Sequence, residues 1–346
     1  MNSGLNLVRF FLAFNVAIFH LWNAVAPGAG PVAVLGFFFM SGFLITQLVQ
    51  EVYVMPKGAG SFLLNRTLRI YPQYLAAVGA GLLTIYLYPA VASHLNSYLR
   101  SPQSPGEWLV QFSIFGLTGS AVRILPAAWT LGAELYFYLL IGLGTGRSKR
   151  ATLLLCAILL PIGALCATNV LPFDFYGSPV GNGFVFALGS AIYFYRNTLR
   201  VKPQLFVLAS LAYLAHAYAI PVLEQLDVDK ANLAGSVFPF ALILLYLFQN
   251  DILVPWVVRL SAVLGKMAYP IFLLHWAVSV VISALLFHGL ASVDMQSGLE
   301  GARYFSVVLL ATMVCSLGFY LFIDQPVERL RRMVRKYAAA VLSRQK

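Results

Sequence analysis

Charge is what this sequence most lacks. Only 10% of its 346 residues are Asp, Glu, Lys or Arg, while 60% are hydrophobic; soluble domains carry about 25% charge. A chain this poor in charge cannot cover a water-facing surface, which argues against a sizeable soluble domain and for a polytopic membrane protein. Acidic residues are the scarcer sign, 12 against 23 Lys and Arg, for a formal net charge of +11. In a soluble chain that surplus would suggest nucleic acid. Here the basic residues cluster between apolar spans and read as a topology signal, so no nucleic-acid partner is expected. Cysteine is also scarce: Cys156, Cys166 and Cys315 lie in apolar segments, without metal-ligand spacing or a disulfide framework. No metal is expected. There is no low-complexity tract and no evident internal repeat.

What the chain has in quantity is apolar spans of membrane length, about 17 to 25 residues each. They fall at 5–26, 31–49, 72–90, 125–143, 153–170, 181–195, 205–222, 233–248, 267–290 and 304–323. The expectation is an all-α polytopic integral membrane protein of about ten transmembrane helices. The stretch 108–121 reads as an interfacial segment. Loops with Lys57, Arg66 and Arg69, with Arg147, Lys149 and Arg150, and with Arg196, Arg200 and Lys202 alternate with neutral or acidic ones carrying Glu224, Asp227 and Asp229, or Asp294 and Glu300. By the positive-inside rule both termini are cytoplasmic. Residues 1–330 form a membrane-embedded domain and 331–346 a basic cytoplasmic tail. The first span ends in Ala24-Val25-Ala26, which resembles a signal-peptide cleavage site. Its single basic residue and the membrane-embedded remainder of the chain favour a retained helix.

That first span holds two residues a bilayer disfavours, Arg9 and His20. They stand eleven positions apart, about three helical turns, so both leave one face roughly 16 Å apart. Taken singly, Arg9 reads as a snorkelling residue and His20 as a satisfied interior histidine. As a pair they should face protein or a water-filled cavity. Glu134, in the fourth span, falls at a similar depth to His20 and is a functional candidate by the same cost argument. Arg66 and Arg69 share a helical face just before Pro72, which can open the third helix. They read either as a clamp for a phosphate-bearing cytosolic ligand or as ordinary positive-inside charge. Ser41 and Gly42 are small residues that let helices or a ligand approach closely. His275 lies mid-membrane and either lines an acceptor path or packs between helices. His216 reads as packing, and Asp324 beside Pro326 as a helix-end feature.

Together these stretches resemble acyltransferase family 3, integral-membrane acyltransferases that include bacterial O-antigen acetylases. Arg9 and His20 match the family's arginine, ten residues, histidine signature. Phe39-Met40-Ser41-Gly42-Phe43-Leu44-Ile45 is similar to its second-helix motif, and Arg66, Arg69, Ile70 and Pro72 to its arginine-rich loop. The run from Trp129 to Tyr138, Tyr269 to Trp276, and Phe322-Ile323-Asp324-Gln325-Pro326 resemble its later motifs. Asn6, Thr130 and the pair Asp324-Gln325 depart from the common pattern.

The resemblance implies transfer of an acyl group, most often acetyl, from cytosolic acyl-CoA to a sugar hydroxyl. No cofactor would be held permanently; acetyl-CoA or another acyl-CoA is a substrate. Arg9, Arg66 and Arg69, with Ser41 and Tyr71, would hold the donor. His20 would act as general base or as a transient acyl carrier, with Glu134 orienting it. Trp129 and His275 would line the acceptor site. The implied partners are a carbohydrate acceptor, acyl-CoA and the lipid bilayer, an oligomer being left open. The implied location is the bacterial cytoplasmic membrane. A glycolipid or small-molecule transporter is the rival reading, since buried polar residues on many spans also fit a transporter. The absence of a repeat with paired broken helices and the arginine run weigh against it.

Overall fold

The computed structural model describes residues 2–53, 58–223, 229–252, 254–289 and 298–343. Lys57, Glu224, Asp227 and Asp294 lie outside the described residues. Those described form helices and turns, with no strand among them. In chain order the helices are α1 (Ser3–Leu21), α2 (Ala29–Glu51), α3 (Ala59–Leu87), α4 (Pro89–Leu95), α5 (Pro105–Ser113), α6 (Trp129–Leu143) and α7 (Lys149–Ala167). They continue as α8 (Pro179–Tyr195), α9 (Pro203–Leu214), α10 (Ile220–Leu223), α11 (Lys230–Gln249), α12 (Pro255–Leu286), α13 (Gly298–Phe319) and α14 (Gln325–Ser343).

Local sequence explains where many of these helices start. The Asn2 side chain accepts from the Gly4 amide at 2.7 Å to cap α1. Ser148 and Ser178 cap α7 and α8 in the same way. Ser104 and Glu107 form a reciprocal capping box on α5, and prolines occupy the first turns of α5, α8, α9 and α12.

Among the described residues, eight helical segments are long and apolar enough to cross a membrane. Each of the ten expected spans is largely helical over its described residues, but two fall outside that set. The segment at 181–195 belongs to α8, only 17 residues long. The segment at 205–222 is broken by a π turn, Ala215–Ala219. Asn232 of α11 explains the break: it donates to the His216 carbonyl at 3.1 Å, drawing that backbone group out of the helical ladder.

Two boundaries differ from the expectation. Pro72 does not open α3 but lies inside it, with thirteen helical residues before it. The Arg66–Arg69 run is therefore held on a rigid helix rather than a loop. Asp324 does not end a helix either. The π turn Tyr320–Asp324 joins α13 to α14, a widening that accommodates Pro326, which cannot donate to the preceding turn. Asp324 is buried there.

At the centre, α1 packs between α2 and α12, and α2 packs along α8. The α2–α8 contact is backbone-close. Any Cβ at Gly42 would overlap the Phe186 carbonyl, and one at Gly189 the Phe39 carbonyl. Phe38, Phe137 and Phe186 stack beside this contact, which fixes α2 against α6 and α8. Arg9, Ser41 and Glu134 thereby acquire a common interior.

Candidate active site

Two adjoining chambers open inside the bundle among the described residues. The larger, about 830 Å³ of empty space including its open mouth, is lined by Arg9 of α1, Ser41 of α2, Arg66 and Arg69 of α3, Glu134 and Tyr138 of α6 and Tyr269 of α12. We call it the basic chamber. The smaller, about 240 Å³, is lined by Phe19 and His20 of α1, Trp129 of α6 and Tyr176 of the loop before α8. Val34, Thr130 and Phe272 line both, so the chambers meet at these three side chains.

In the basic chamber Glu134 is fixed by two hydroxyls. Ser41 donates to Oε1 at 2.5 Å and Tyr138, one helical turn on, to Oε2 at 2.9 Å. Arg9 and Arg66 lie within electrostatic reach of the same carboxylate. Arg69 pairs with Asp324 at 3.4 Å and stands 5.4 Å from the Tyr269 ring centroid. Gln73 donates to the same Asp324 oxygen. Arg66 lies 5.9 Å from the Tyr138 ring centroid. The result is a partly buried cationic lining with its carboxylates already engaged.

The histidine chamber is organised by a contact between α1 and α12. His20 Nδ1 is 2.9 Å from His275 Nε2, and the rings lie nearly parallel, 8° apart. His275 is fully buried, and its Nδ1 lies 3.1 Å from the Ile271 carbonyl. A carbonyl only accepts, so His275 Nδ1 carries the proton. In the neutral ring Nε2 is then the acceptor. His20 Nδ1 must donate to it, which leaves the lone pair of a neutral His20 on Nε2. Trp276 lies 5.1 Å from His20, ring to ring, and its buried indole N–H has no hydrogen-bond partner. Trp129 and Tyr176 meet edge to face at 5.2 Å. Burial first, then the nearby Asp174 carboxylate, pushes the Tyr176 phenol up, keeping it a neutral hydroxyl.

The structure therefore sorts the expected site residues into two groups. Arg9, Arg66, Arg69, Ser41 and Glu134 share the basic chamber; His20 and Trp129 share the other. The expected His20–Glu134 pairing is replaced by His20–His275, because Glu134 faces the basic chamber and is held there by Ser41 and Tyr138. Ser41 is correspondingly engaged with a carboxylate. Tyr71 lines neither chamber; its hydroxyl donates to the Ser113 carbonyl at 2.7 Å. Two residues beyond Arg69 on a helix is about 200° around, so the two cannot share a face. His216, read as packing, meets Asn232 at 2.5 Å. Tyr176 and Gln73 carry no cue in the sequence. Tyr138 and Asp324 lie in the family-like motifs, and the structure gives them partners: Tyr138, at i+4 from Glu134, donates to that carboxylate, and Asp324 pairs with Arg69.

The pairing makes a prediction. His275→Phe removes the acceptor for His20 Nδ1 at similar volume and should lower turnover about a hundredfold, within the range for a positioned proton-transfer group. His275→Gln, which restores an acceptor, should recover most of that loss. Initial rates at saturating donor check this; equal losses in both variants would assign His275 to packing.

Helices of membrane length enclosing a two-part cavity of mixed apolar and polar lining are the architecture of a multi-pass membrane protein. A family profile described as an acyltransferase domain matches residues 2–321. The chain belongs to acyltransferase family 3 and is a membrane acyltransferase. No curated protein and no solved structure matches it.

Proposed function

We propose that this acyltransferase moves an acyl group, acetyl in the simplest case, from cytosolic acyl-CoA to a hydroxyl of a cell-envelope or secreted carbohydrate. The observation that carries the proposal is the meeting of a cationic chamber and an imidazole chamber at Val34, Thr130 and Phe272. Guanidinium forks suit the phosphates of the donor. The seam between the chambers, apolar at Val34 and Phe272 with one hydroxyl at Thr130, suits the acyl-pantetheine arm. An imidazole with its lone pair on Nε2 suits the acceptor hydroxyl.

In this reading the acceptor oxygen attacks the thioester carbonyl while His20 Nε2 takes its proton. The C–S bond then breaks, and the CoA thiolate leaves with the proton that His20 returns. Trp129 and Tyr176 offer aromatic faces to the C–H face of a sugar ring. With the basic chamber open to the cytoplasm, Arg9 and the basic loops sit on the donor's side of a bacterial cytoplasmic membrane.

The test is transfer of label. Cells with and without the gene are fed radiolabelled acetate, and the purified protein in nanodiscs is given labelled acetyl-CoA with envelope glycans. Base-labile label on a glycan, dependent on the protein, is the expected result. Substrate movement across vesicles without any ester formed would replace the proposal with transport.

A further inference from the structure

The family match ends at residue 321, whereas α14 begins at Gln325. This last helix packs along α3. It brings Arg331 to the back of the basic chamber's arginine run. Arg331 is only 8% exposed. Its Nη2 reaches Asn65 Oδ1 at 3.4 Å, and Arg66 Nη2 reaches the same oxygen at 3.1 Å. Two guanidiniums thus share one neutral amide acceptor through long bonds. The Nε–H groups of Arg66 and Arg331 are both buried and without partners. The Tyr53 hydroxyl, fully buried, is also unpartnered, and Arg66, Arg331 and Arg335 lie within its electrostatic reach.

Unused buried donors are uncommon, because each costs the desolvation of its polar group. Two on the guanidiniums that share one amide, with a third on a nearby phenol, in a region where guanidiniums also repel one another, are a poor arrangement for stability alone. Glu328 offsets part of the charge by pairing with Arg331 and Arg335, both at 2.5 Å. Arg9, Arg66, Arg69, Arg331 and Arg335 still outnumber Glu134, Asp324 and Glu328. What is missing is an acceptor with several oxygens and negative charge.

We propose that Tyr53, Arg66 and Arg331 form an anion subsite for a phosphate of the donor's nucleotide end, so that the C-terminal helix builds part of the donor site. The phosphate displaces the Asn65 oxygen from the two Nη2 groups, and its remaining oxygens accept from the two Nε–H groups and the phenol. Arg66 joins the two regions: it lines the basic chamber and shares the Asn65 oxygen with Arg331. The inference rests on the acyl-CoA reading above and deepens it.

The experiment compares two donors, acetyl-CoA and S-acetylpantetheine, the second lacking the nucleotide and every phosphate. Arg331→Ala should raise KM for acetyl-CoA about tenfold, as expected for a charge-assisted hydrogen bond, and leave KM for S-acetylpantetheine unchanged. Tyr53→Phe should raise it by a smaller factor. Glu328→Gln loosens α14 without removing a phosphate donor, so KM for acetyl-CoA should stay the same or fall. The inference is overturned if Arg331→Ala affects both donors equally, or if Glu328→Gln mimics it, either of which makes Arg331 a strut. Assays in phosphatidylcholine vesicles and in vesicles containing phosphatidylglycerol separate the sources of phosphate. A KM shift seen only with phosphatidylglycerol assigns the cluster to lipid headgroups and also overturns the inference. A wild-type protein that uses both donors equally well overturns the acyl-CoA reading itself. Normal discrimination retained by Arg331→Ala overturns the subsite alone.

Discussion

Replacing His20 with alanine is expected to lower acyl transfer about a thousandfold while the protein still inserts and folds. The magnitude follows from loss of a positioned proton-transfer group, which contributes about 10²–10⁴ in rate. The fold should survive because His20 lines a cavity rather than filling a packed layer. The α1–α2–α12 contacts rest on neighbours such as Leu12, Val16 and Leu21, all nearly fully buried. There is one structural cost. Alanine leaves His275 Nε2 without its donor inside the protein, about 1–3 kcal/mol for an unsatisfied buried acceptor. A modest fall in melting temperature should therefore accompany the loss of turnover. Initial rates and thermal melts on the same nanodisc preparation separate the two effects. Turnover within a few fold of wild type would remove His20 from the chemistry.

Replacing Glu134 with alanine should act on the fold first. The carboxylate accepts from Ser41 and Tyr138 and lies within electrostatic reach of Arg9 and Arg66. Alanine strands two hydroxyls and leaves the guanidiniums of the chamber without their counter-charge. Breaking one side of a buried pair costs about 3–5 kcal/mol. This chamber is partly open, which discounts the figure to about 2–3 kcal/mol. The expected result is a markedly lower melting temperature and reduced yield of inserted protein. Glu134→Gln keeps an acceptor oxygen and the side-chain volume, so it should melt between alanine and wild type. An unchanged melt for the alanine variant would mean that the carboxylate is not the chamber's counter-charge.

The two variants also show how far the sequence could be read. That Arg9, His20 and Glu134 are functional candidates follows from cost: ionisable groups in apolar spans are expensive in lipid and so face a cavity or a partner. Which partner each takes does not follow. Residues at similar depth on different helices can face different ways, and a span's depth does not fix its rotation. Rotation comes from packing, here from the glycine contacts of α2 with α8 and the aromatic stack beside them. That packing turned Glu134 toward Ser41 and brought His275 of α12, not an acid, to His20. Tyr71, which the family resemblance implies for the donor site, lies two positions beyond Arg69, and a period of 3.6 residues turns it away from the chamber toward the Ser113 carbonyl.

By itself, the sequence determined the class and the family: a charge-poor chain of membrane-length apolar spans, carrying an arginine–histidine stripe and later motifs in family order. These properties are local, set by composition and by a helical period of 3.6 residues, and need no knowledge of neighbours. Only the tertiary structure decided that there are two chambers rather than one, that His275 sets the proton on His20, and that Asp324 and the last helix close around the arginine run. Those facts join residues some 250 positions apart, such as His20 with His275 and Arg69 with Asp324. The orientation of one packed helix against another is the only thing that brings such pairs within reach.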